Sequence, residues 1–326
     1  MKIALSKLFF ITIISLFFHL NNCAIAQENW PTRPITMVIP FPPGGVADTV
    51  GRPVAEALSR ALGQPVIVEN RSGAGGGVGM AAVARAKPDG YTILMTSSSI
   101  HSIGAALNKK APFDYDKDFT PIVHVASAPH ILLVTKQIPV NNLKELIAFA
   151  KANPTTLNFS SAGNGTIMHL TGESFKSTVG IQMQHIPYKG VAPAINDVLG
   201  GQVPLAFASL PSALNYIKAG KLQAIAISSA KRSSAAPEIP TIAETYPDCV
   251  GEVWVAIFAP MGVNADVVKK VQMAMEKVMS RQDVREKLIA QGLDLSPVPS
   301  AKLPSLLKEE LAKWVKIVKA SGAQLD

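Results

Sequence analysis

The 326-residue chain carries 31 lysines and arginines against 23 aspartates and glutamates, a formal net charge of +8. The basic residues are scattered, with no run longer than two, and aromatic residues make up 6% of the chain. Nucleic-acid binding is therefore not expected. The two cysteines, Cys23 and Cys249, are too few for a disulfide framework or a cysteine-based zinc site. We expect neither a metal nor another cofactor.

The N-terminal residues 1–26 are predicted to be a signal peptide that is removed. Two lysines precede an almost wholly apolar stretch, residues 8–20, and Ala24-Ile25-Ala26 forms a small-x-small cleavage pattern. Cleavage after Ala26 would place the mature protein in the periplasm with Cys249 as its single cysteine. Attachment of a lipid to Cys23 is the competing interpretation.

Strand-like runs alternate with helical patterns along the rest of the chain, which predicts an α/β protein with mostly parallel sheet. No low-complexity tract or long linker divides the sequence. The predicted helices, in chain order, are Asp48–Leu62, Gly79–Ala86, Asn142–Ala152, Ile167–Val179, Ala192–Leu199, Ala265–Met279 and Leu303–Ala320.

Three glycine-rich loops each follow a β-rich run and open into a helical pattern. They span residues 42–48 (Pro-Pro-Gly-Gly-Val-Ala-Asp), 70–77 (Asn-Arg-Ser-Gly-Ala-Gly-Gly-Gly) and 163–166 (Gly-Asn-Gly-Thr). The first N–H groups of a helix are unpaired and suit an anion, and glycine lets a ligand approach the backbone closely. The three loops together predict a cleft that holds a small negatively charged group.

Each loop also has a structural interpretation. In the first, Asp48 either caps the following helix or contacts a ligand. The second lacks the spacing of dinucleotide and phosphate loops, and tight helix packing explains its glycines equally well. The third is the strongest candidate, because it offers backbone N–H groups, the Thr166 hydroxyl and, one turn on, His169. Thr166 as a simple helix cap and His169 as a packed core residue are the alternatives.

Motifs typical of catalysis are missing from the sequence. It contains no His-Glu-x-x-His, no Gly-x-Ser-x-Gly and no pair of histidines at metal-binding spacing. A triad of distant residues is not excluded, since triads are defined by geometry. Nothing in the sequence calls for an enzyme.

From about Trp30 to the C-terminus, the chain resembles the Bug receptors, the periplasmic substrate-binding receptors of tripartite tricarboxylate transporters. The matching segments are residues 30–35 (WPTRPI), 42–48 (PPGGVAD), 68–76 (VENRSGAGG), 89–92 (DGYT), 119–122 (FTPI), 161–166 (SAGNGT) with 169–170 (HL), 185–190 (HIPYKG), 200–203 (GGQV) and 239–244 (IPTIAE). The family usually reads Ala-Pro-Ala-Gly-Thr-Pro where residues 259–264 read Ala-Pro-Met-Gly-Val-Asn.

The resemblance implies a two-lobed periplasmic-binding-protein-like clamp with a mostly parallel sheet in each lobe. Lobe one would comprise residues 27–130 and 250–326, and lobe two residues 131–249. A small organic anion, a carboxylate, would bind between the lobes and pass to integral-membrane transporter subunits. We expect a monomer that is not an enzyme. A ligand-presenting sensor module is the alternative, and a periplasmic hydrolase is a more distant one.

The resemblance also implies the residues of the binding site. The predicted contacts to the anion are Gly163, Asn164, Gly165 and Thr166, joined by His169, with Pro43, Gly44 and Gly45 acting largely through ordered water. Tyr188 and Asp197 match positions near that site. The residues expected to determine specificity are Ser98, Ser99, His101, Ser209 and Trp254. The predicted specificity loops, residues 97–101 and 208–210, contain no permanent cation, which favours a ligand with one carboxylate and a polar or aromatic remainder.

Overall fold

A computed structural model describes residues 30–107, 110–154, 156–295 and 298–323. The predicted signal peptide, residues 1–26, lies outside the described residues. Among the helices of the described ranges, none is both long enough and apolar enough to span a bilayer.

Strands and helices alternate along the described chain, so the predicted α/β class is confirmed. The elements are β1 (Ile35–Ile39), α1 (Val46–Leu62), β2 (Val66–Asn70), α2 (Gly77–Ala84), β3 (Thr92–Ser97), α3 (Ser98–Leu107), β4 (Phe119–Val134), α4 (Leu143–Ala152), β5 (Asn158–Ser161), α5 (Ile167–Val179), β6 (Gln184–Pro187), α6 (Val191–Leu199), β7 (Leu205–Ser209), α7 (Leu210–Lys218), β8 (Gln223–Ile227), β9 (Glu252–Pro260), α8 (Ala265–Ser280), α9 (Gln282–Ala290) and α10 (Leu303–Ser321).

The seven predicted helices all form, and α5 has the predicted bounds Ile167–Val179. The sequence analysis missed α3, α7 and α9. Its treatment of residues 97–101 and 208–210 as loops was wrong, because β3 continues directly into α3 and β7 directly into α7. Ser98, Ser99 and His101 therefore lie in the first turn of a helix, and Ser209 is the residue before one.

The sheet runs in the order β2-β1-β3-β9-β4-β7-β5-β6, with β8 also paired to β4. The long strand β4 joins the two halves of the sheet. Its first part, from Phe119 to Pro129, pairs with β9, and its last part, from His130 to Val134, pairs with β7 and β8. The pairs within β1–β3 and within β5–β7 are parallel, whereas the antiparallel pairs all involve β4 or β9.

Strand direction makes the two groups of parallel strands face each other. β4 runs in the same direction as β3, because both are antiparallel to β9. β7 and its parallel neighbour β5 run the opposite way, because β7 is antiparallel to β4. The carboxyl ends of β1 and β3 therefore point towards the carboxyl ends of β5, β6 and β7. We call these the facing carboxyl edges, and such edges are where α/β proteins bind ligands.

Two helices join the groups of strands. Ile167 and Leu170 of α5, which follows β5, are buried in the apolar cluster that covers β1 and β9. The C-terminal helix α10 packs on α3 and also on α5, and its Trp314 is fully buried. The chain crosses between the groups a second time near Ser228 and Gly251, where the N–H of Ser228 donates to the carbonyl of His130 at 2.9 Å.

Candidate functional site

Thr166 forms the N-cap of α5 at the facing carboxyl edges. Its hydroxyl donates to the carbonyl of Gly163 at 2.7 Å and accepts from the N–H of His169 at 3.3 Å. The capping alternative is therefore realised for this residue. Because the cap uses the third N–H of the helix, the N–H groups of Ile167 and Met168 are left without an intrahelical acceptor.

The glycines before this cap direct their N–H groups inwards. The N–H of Gly163 donates to Ser161 Oγ and that of Gly165 donates to His169 Nδ1, both at 3.2 Å. Their φ angles of 133° and 68° lie in the left-handed region that favours glycine. The loop is thus shaped by internal bonds, and these two N–H groups are already occupied.

His169 packs against a second histidine directly behind the loop. Its ring stacks on that of His185 with centroids 3.8 Å apart and planes at 10°, and Phe159 lies against both rings. His185 Nε2 is 2.6 Å from Ser161 Oγ, and His169 Nε2 is 4.0 Å from a carboxylate oxygen of Glu173. His169 is 7% exposed, which fits the packed alternative and places it next to the loop.

The loop after β1 is braced by Asp48. One oxygen of this buried carboxylate accepts the N–H of Gly44 at 3.0 Å and the Nε–H of Arg52 at 3.0 Å, and the other accepts Asn70 Nδ2–H at 2.9 Å. Burial raises the pKa of Asp48, but these hydrogen bonds outweigh it and hold the pKa below its usual value. Asp48 therefore has the structural role, and it ties the first glycine loop to the second.

The second glycine loop fits the packing interpretation. A Cβ on Gly76 would lie 2.0 Å from the side chain of Ile100, and one on Gly79 would lie 2.8 Å from Pro40. Residues 71–75 of this loop are exposed.

Tyr188 and Asp197 are bonded to each other. The hydroxyl of Tyr188 donates to a carboxylate oxygen of Asp197, and burial together with this bond raises the pKa of Tyr188 to about 12. The N–H of Tyr188 donates to the carbonyl of Ser161 at 3.1 Å and that of Gly190 to Ala162 at 3.2 Å. This turn therefore braces the strand end that carries the third loop.

The residues expected to determine specificity lie deeper than the loops. The Ser98 hydroxyl accepts the N–H of Trp254 at 3.3 Å, and both side chains are buried. The ring of His101 stacks on Phe258 with centroids 4.8 Å apart and lies 6.1 Å from the ring of Trp254. Burial lowers the pKa of His101 to about 4, so this side chain is neutral at pH 7.

Ser99 is half-buried, next to Ser98. Ser209 lies opposite His130 across the pair of β7 and β4, and its hydroxyl is 2.6 Å from that of Ser212. The described structure therefore brings Pro43–Gly45, Gly163–Thr166, Tyr188 and Ser209 to the two facing edges, and buries His101 and Trp254 beneath one of them.

Three helices that begin at the facing edges lack a side-chain cap, whereas Thr166 caps another helix there, α5. The helices α1, α6 and α7 begin after Gly45, Gly190 and Ser209, none of which caps its helix with a side chain. Away from these edges, α4 and α8 are capped by Asn142 and Asn264, and α9 and α10 have no side-chain cap. Uncapped N–H groups carry partial positive charge and attract an anion.

Metal-ligating and nucleophilic side chains also occur among the described residues. Among them, no cluster of three or more metal-ligating side chains occurs. Burial raises the pKa of the Cys249 thiol to about 12, so this cysteine is a poor nucleophile. A cavity of about 730 Å³ lies between α5 and α10, away from the facing edges, and includes Lys313 and Asp248 in its lining.

The sequence analysis missed the residues that support the loops. Ser161, His185, Arg52 and Asn70 shape the two glycine loops, yet it named none of them as site residues. Ser161 and His185 did lie in segments that carried the family resemblance. Only the pairing of β5 with β6, which is not local in sequence, shows that they meet.

Comparison with known proteins identifies the family. The family model described as tripartite tricarboxylate transporter family receptor matches residues 50–323. The chain belongs to this family. The receptor is therefore a solute-binding protein that works with membrane transporter subunits, and the resemblance inferred from the sequence is confirmed.

Individual relatives extend over nearly the whole receptor. Protein BugT of Bordetella pertussis is 34% identical over 319 residues, which cover 97% of this chain and 98% of BugT. MatC from Rhodopseudomonas palustris, solved with bound malate, is 31% identical with a TM-score of 0.74 and covers 89% of this chain and 100% of its own. An R. palustris protein solved with adipate is 31% identical with a TM-score of 0.79, over 90% of this chain and 99% of its own.

Proposed function

We propose that the receptor binds a small carboxylate between the facing carboxyl edges and delivers it to its membrane subunits. The observation that carries this proposal is that α1 and α5 begin at these edges with first N–H groups that have no intrahelical acceptor, and that α6 and α7 begin there without a side-chain cap. A carboxylate held there would accept charge-assisted hydrogen bonds from Val46 and Ala47 on one side and from Ile167 and Met168 on the other. Malate and adipate, which relatives hold, are carboxylates.

The proposed mechanism is a clamp. Lobe one, residues 27–130 and 250–326, and lobe two, residues 131–249, would move about the crossings near His130 and near Ser228 and Gly251. A ligand that contacts both lobes binds the closed arrangement better than the open one, and this difference in affinity is sufficient to shift the population towards closure.

The ligand is proposed to have one carboxylate and a polar or aromatic remainder. The neutral side chains in this region support this: His101 is uncharged at pH 7, and the adjoining Ser98 and Trp254 offer a hydroxyl, aromatic surface and a buried indole N–H. A second carboxylate would require a cation or several more donors. We further propose that the mature chain starts at Gln27, acts in the periplasm and catalyses no reaction.

A thermal-shift screen of refolded residues 27–326 tests the proposal. The panel contains mono-, di- and tricarboxylates with malate and adipate among them, amino acids, aromatic acids and neutral amides. A ligand at a hundredfold excess over its Kd adds about 2.7 kcal/mol to the free energy of unfolding. We expect one class of acid to raise the melting temperature selectively. If only neutral amides raise the melting temperature, the clamp mechanism stands and the carboxylate ligand is rejected.

The matched control is Gly165→Val. A β-branched side chain does not tolerate the φ of 68° at this position, so the variant should lose the ligand-dependent shift while it keeps a cooperative transition. An unchanged ligand shift in this variant would reject the loop as the binding site.

A further inference from the structure

Both ends of the loop from Gly163 to Thr166 are tied to one pair of stacked rings, His169 and His185, which we call the histidine pair. Gly163 is tied through Ser161, whose Oγ accepts the Gly163 N–H at 3.2 Å and lies 2.6 Å from His185 Nε2. Gly165 is tied directly, because its N–H donates to His169 Nδ1 at 3.2 Å. The shape of the loop therefore depends on groups behind it.

His169 forms a reciprocal arrangement with the start of α5. Its backbone N–H donates to the Thr166 hydroxyl, and its ring reaches back to accept the N–H of Gly165. A glutamate at the same helical position accepts the N–H of the N-cap residue in a capping box, whereas His169 accepts the N–H one residue earlier, that of Gly165. Here an imidazole takes the place of the carboxylate, and it fixes the peptide between Asn164 and Gly165, just before the N-cap of α5.

The bond to Gly165 determines where the protons of His169 lie. A ring nitrogen that accepts a hydrogen bond carries no proton, so the neutral ring has its proton on Nε2, on the side of Glu173. A second proton would put an N–H on Nδ1, opposite the N–H of Gly165. Two donors would then face each other and the bond would be lost.

Side chains from three elements face the histidine pair. From α5, Glu173 lies 4.0 Å from His169 Nε2 and is itself paired with Lys176 at 2.7 Å. From β6 comes His185, and from β5 come Phe159 and Ser161, neither of which is charged. Two cationic rings 3.8 Å apart would repel strongly, so the pair accepts at most one added proton.

We propose that His169 is a positioning residue for solute binding: its neutral ring holds the loop in the binding conformation, and protonation at Nδ1 releases it. His185 completes the device by fixing Ser161 and by stacking on His169. This inference rests on the proposed function, because the loop and the helix turn that it precedes form the proposed anion site. The receptor would bind its solute less tightly in acid.

Two substitutions separate the hydrogen bond from the ring. His169→Asn keeps an acceptor near the position of Nδ1 but does not titrate, and His169→Phe keeps a ring but has no acceptor. His124→Asn is the matched control, because His124 is also buried and its Nδ1 also accepts a backbone N–H, that of Val298 at 3.5 Å, far from the loop in sequence and on β4.

Calorimetric titration measures affinity at pH 8 and pH 5, the range in which histidine titrates. The probes are sodium benzoate, which has one carboxylate and an aromatic remainder, and the dicarboxylates sodium malate and sodium adipate. His169→Phe should weaken binding at pH 8 by about tenfold, the size of one lost hydrogen bond, and His169→Asn should restore most of it. For each protein the quantity compared is the affinity at pH 8 divided by the affinity at pH 5. This ratio should be about three times larger in wild type and His124→Asn than in His169→Asn. Equal pH ratios in wild type and His169→Asn, or full affinity in His169→Phe, overturn the proposal.

Nuclear magnetic resonance of the ligand-free protein, labelled with nitrogen-15 in histidine and glycine, separates this inference from the proposed function. We expect the Nε2–H tautomer for His169 and a Gly165 amide that exchanges about tenfold faster in His169→Phe than in wild type. If wild type binds none of the three acids, the carboxylate proposal fails and these spectra still decide the inference. The other tautomer, or equal exchange, overturns it.

Discussion

The Thr166 hydroxyl makes two hydrogen bonds, one as a donor to Gly163 and one as an acceptor from His169. Thr166→Ala removes both, and N-cap substitutions of this kind cost about 1 kcal/mol of stability. We expect a decrease of that size in the free energy of unfolding, measured by urea denaturation. Thr166→Ser keeps the hydroxyl and should unfold like wild type. Equal losses in the two variants would show that the methyl group matters and not the cap.

Asp48→Asn tests the brace of the first loop. The folded-state pKa of Asp48 lies below its usual value of 3.8, so the ionised group stabilises the fold above that pH and the contribution is lost as pH falls through the folded pKa. We expect the variant to be about 1–3 kcal/mol less stable at pH 7. Denaturation at a series of pH values should show this gap closing below pH 3.8, and a gap that widens in acid would contradict the assignment.

Residue-level reasoning from the sequence predicted the glycine loops but not how their N–H groups are used. Gly163 and Gly165 were expected to face the anion, whereas both donate to side chains behind the loop. The acceptors are Ser161 and His169, which lie two residues before Gly163 and four after Gly165. A backbone N–H has one direction at each φ and ψ, and sequence patterns do not report that direction.

At the scale of elements, helices were predicted from the sequence where turn residues separate them from the preceding strand. The helices α3 and α7 were missed because no turn residue separates Ser97 from Ser98 or Ser209 from Leu210. A serine-rich start such as residues 97–99 has weak intrinsic helix preference. Its helix forms because Ile100 and Ile103 are buried in the core, which is a tertiary effect that overrides local preference.

The junction between β9 and α10 contains a buried carboxyl group. Burial, and then the nearby carboxylates of Glu310 and Asp294, raise the pKa of Glu252 to about 7. Its ordinary pKa is 4.5, so the folded protein binds this proton more tightly than the unfolded chain does. Stability from this group is present below pH 4.5 and is lost as pH rises through 7.

Glu252→Gln removes the ionisation and keeps the shape. We expect the variant to gain about 3 kcal/mol of stability relative to wild type between pH 4 and pH 8, the equivalent of the difference between the two pKa values. Melting temperatures at a series of pH values measure this gain. Glu276→Gln, on the exposed side of α8, is the control for loss of a surface carboxyl group. A constant difference between Glu252→Gln and wild type would contradict the raised pKa.

At the scale of the whole molecule, the family resemblance predicted the fold class correctly, and strand direction explains why the glycine loops meet. Several matching segments have structural roles instead of ligand contacts. Arg33 lies over the ring of Tyr91 at 3.7 Å and pairs with Asp89 at 3.1 Å. These residues attach the N-terminal segment to the start of β3. Their segments match the family, but they lie outside the proposed binding site.

The crossing at Gly251 offers a test of how the two groups of strands are held together. A Cβ on this residue would lie 2.4 Å from Thr171 Oγ1 on α5, and its N–H donates to the carbonyl of Ser228 at 2.8 Å. Gly251→Ala should therefore push α5 away from the crossing, lower the free energy of unfolding by about 1–3 kcal/mol, and weaken solute binding because α5 carries the loop. Gly251→Ala combined with Thr171→Ala removes the clash, so the double variant should be more stable than the sum of the single changes predicts. Urea denaturation and calorimetric titration of the four proteins complete the cycle, and additive losses would mean that the contact with Thr171 does not hold the halves together.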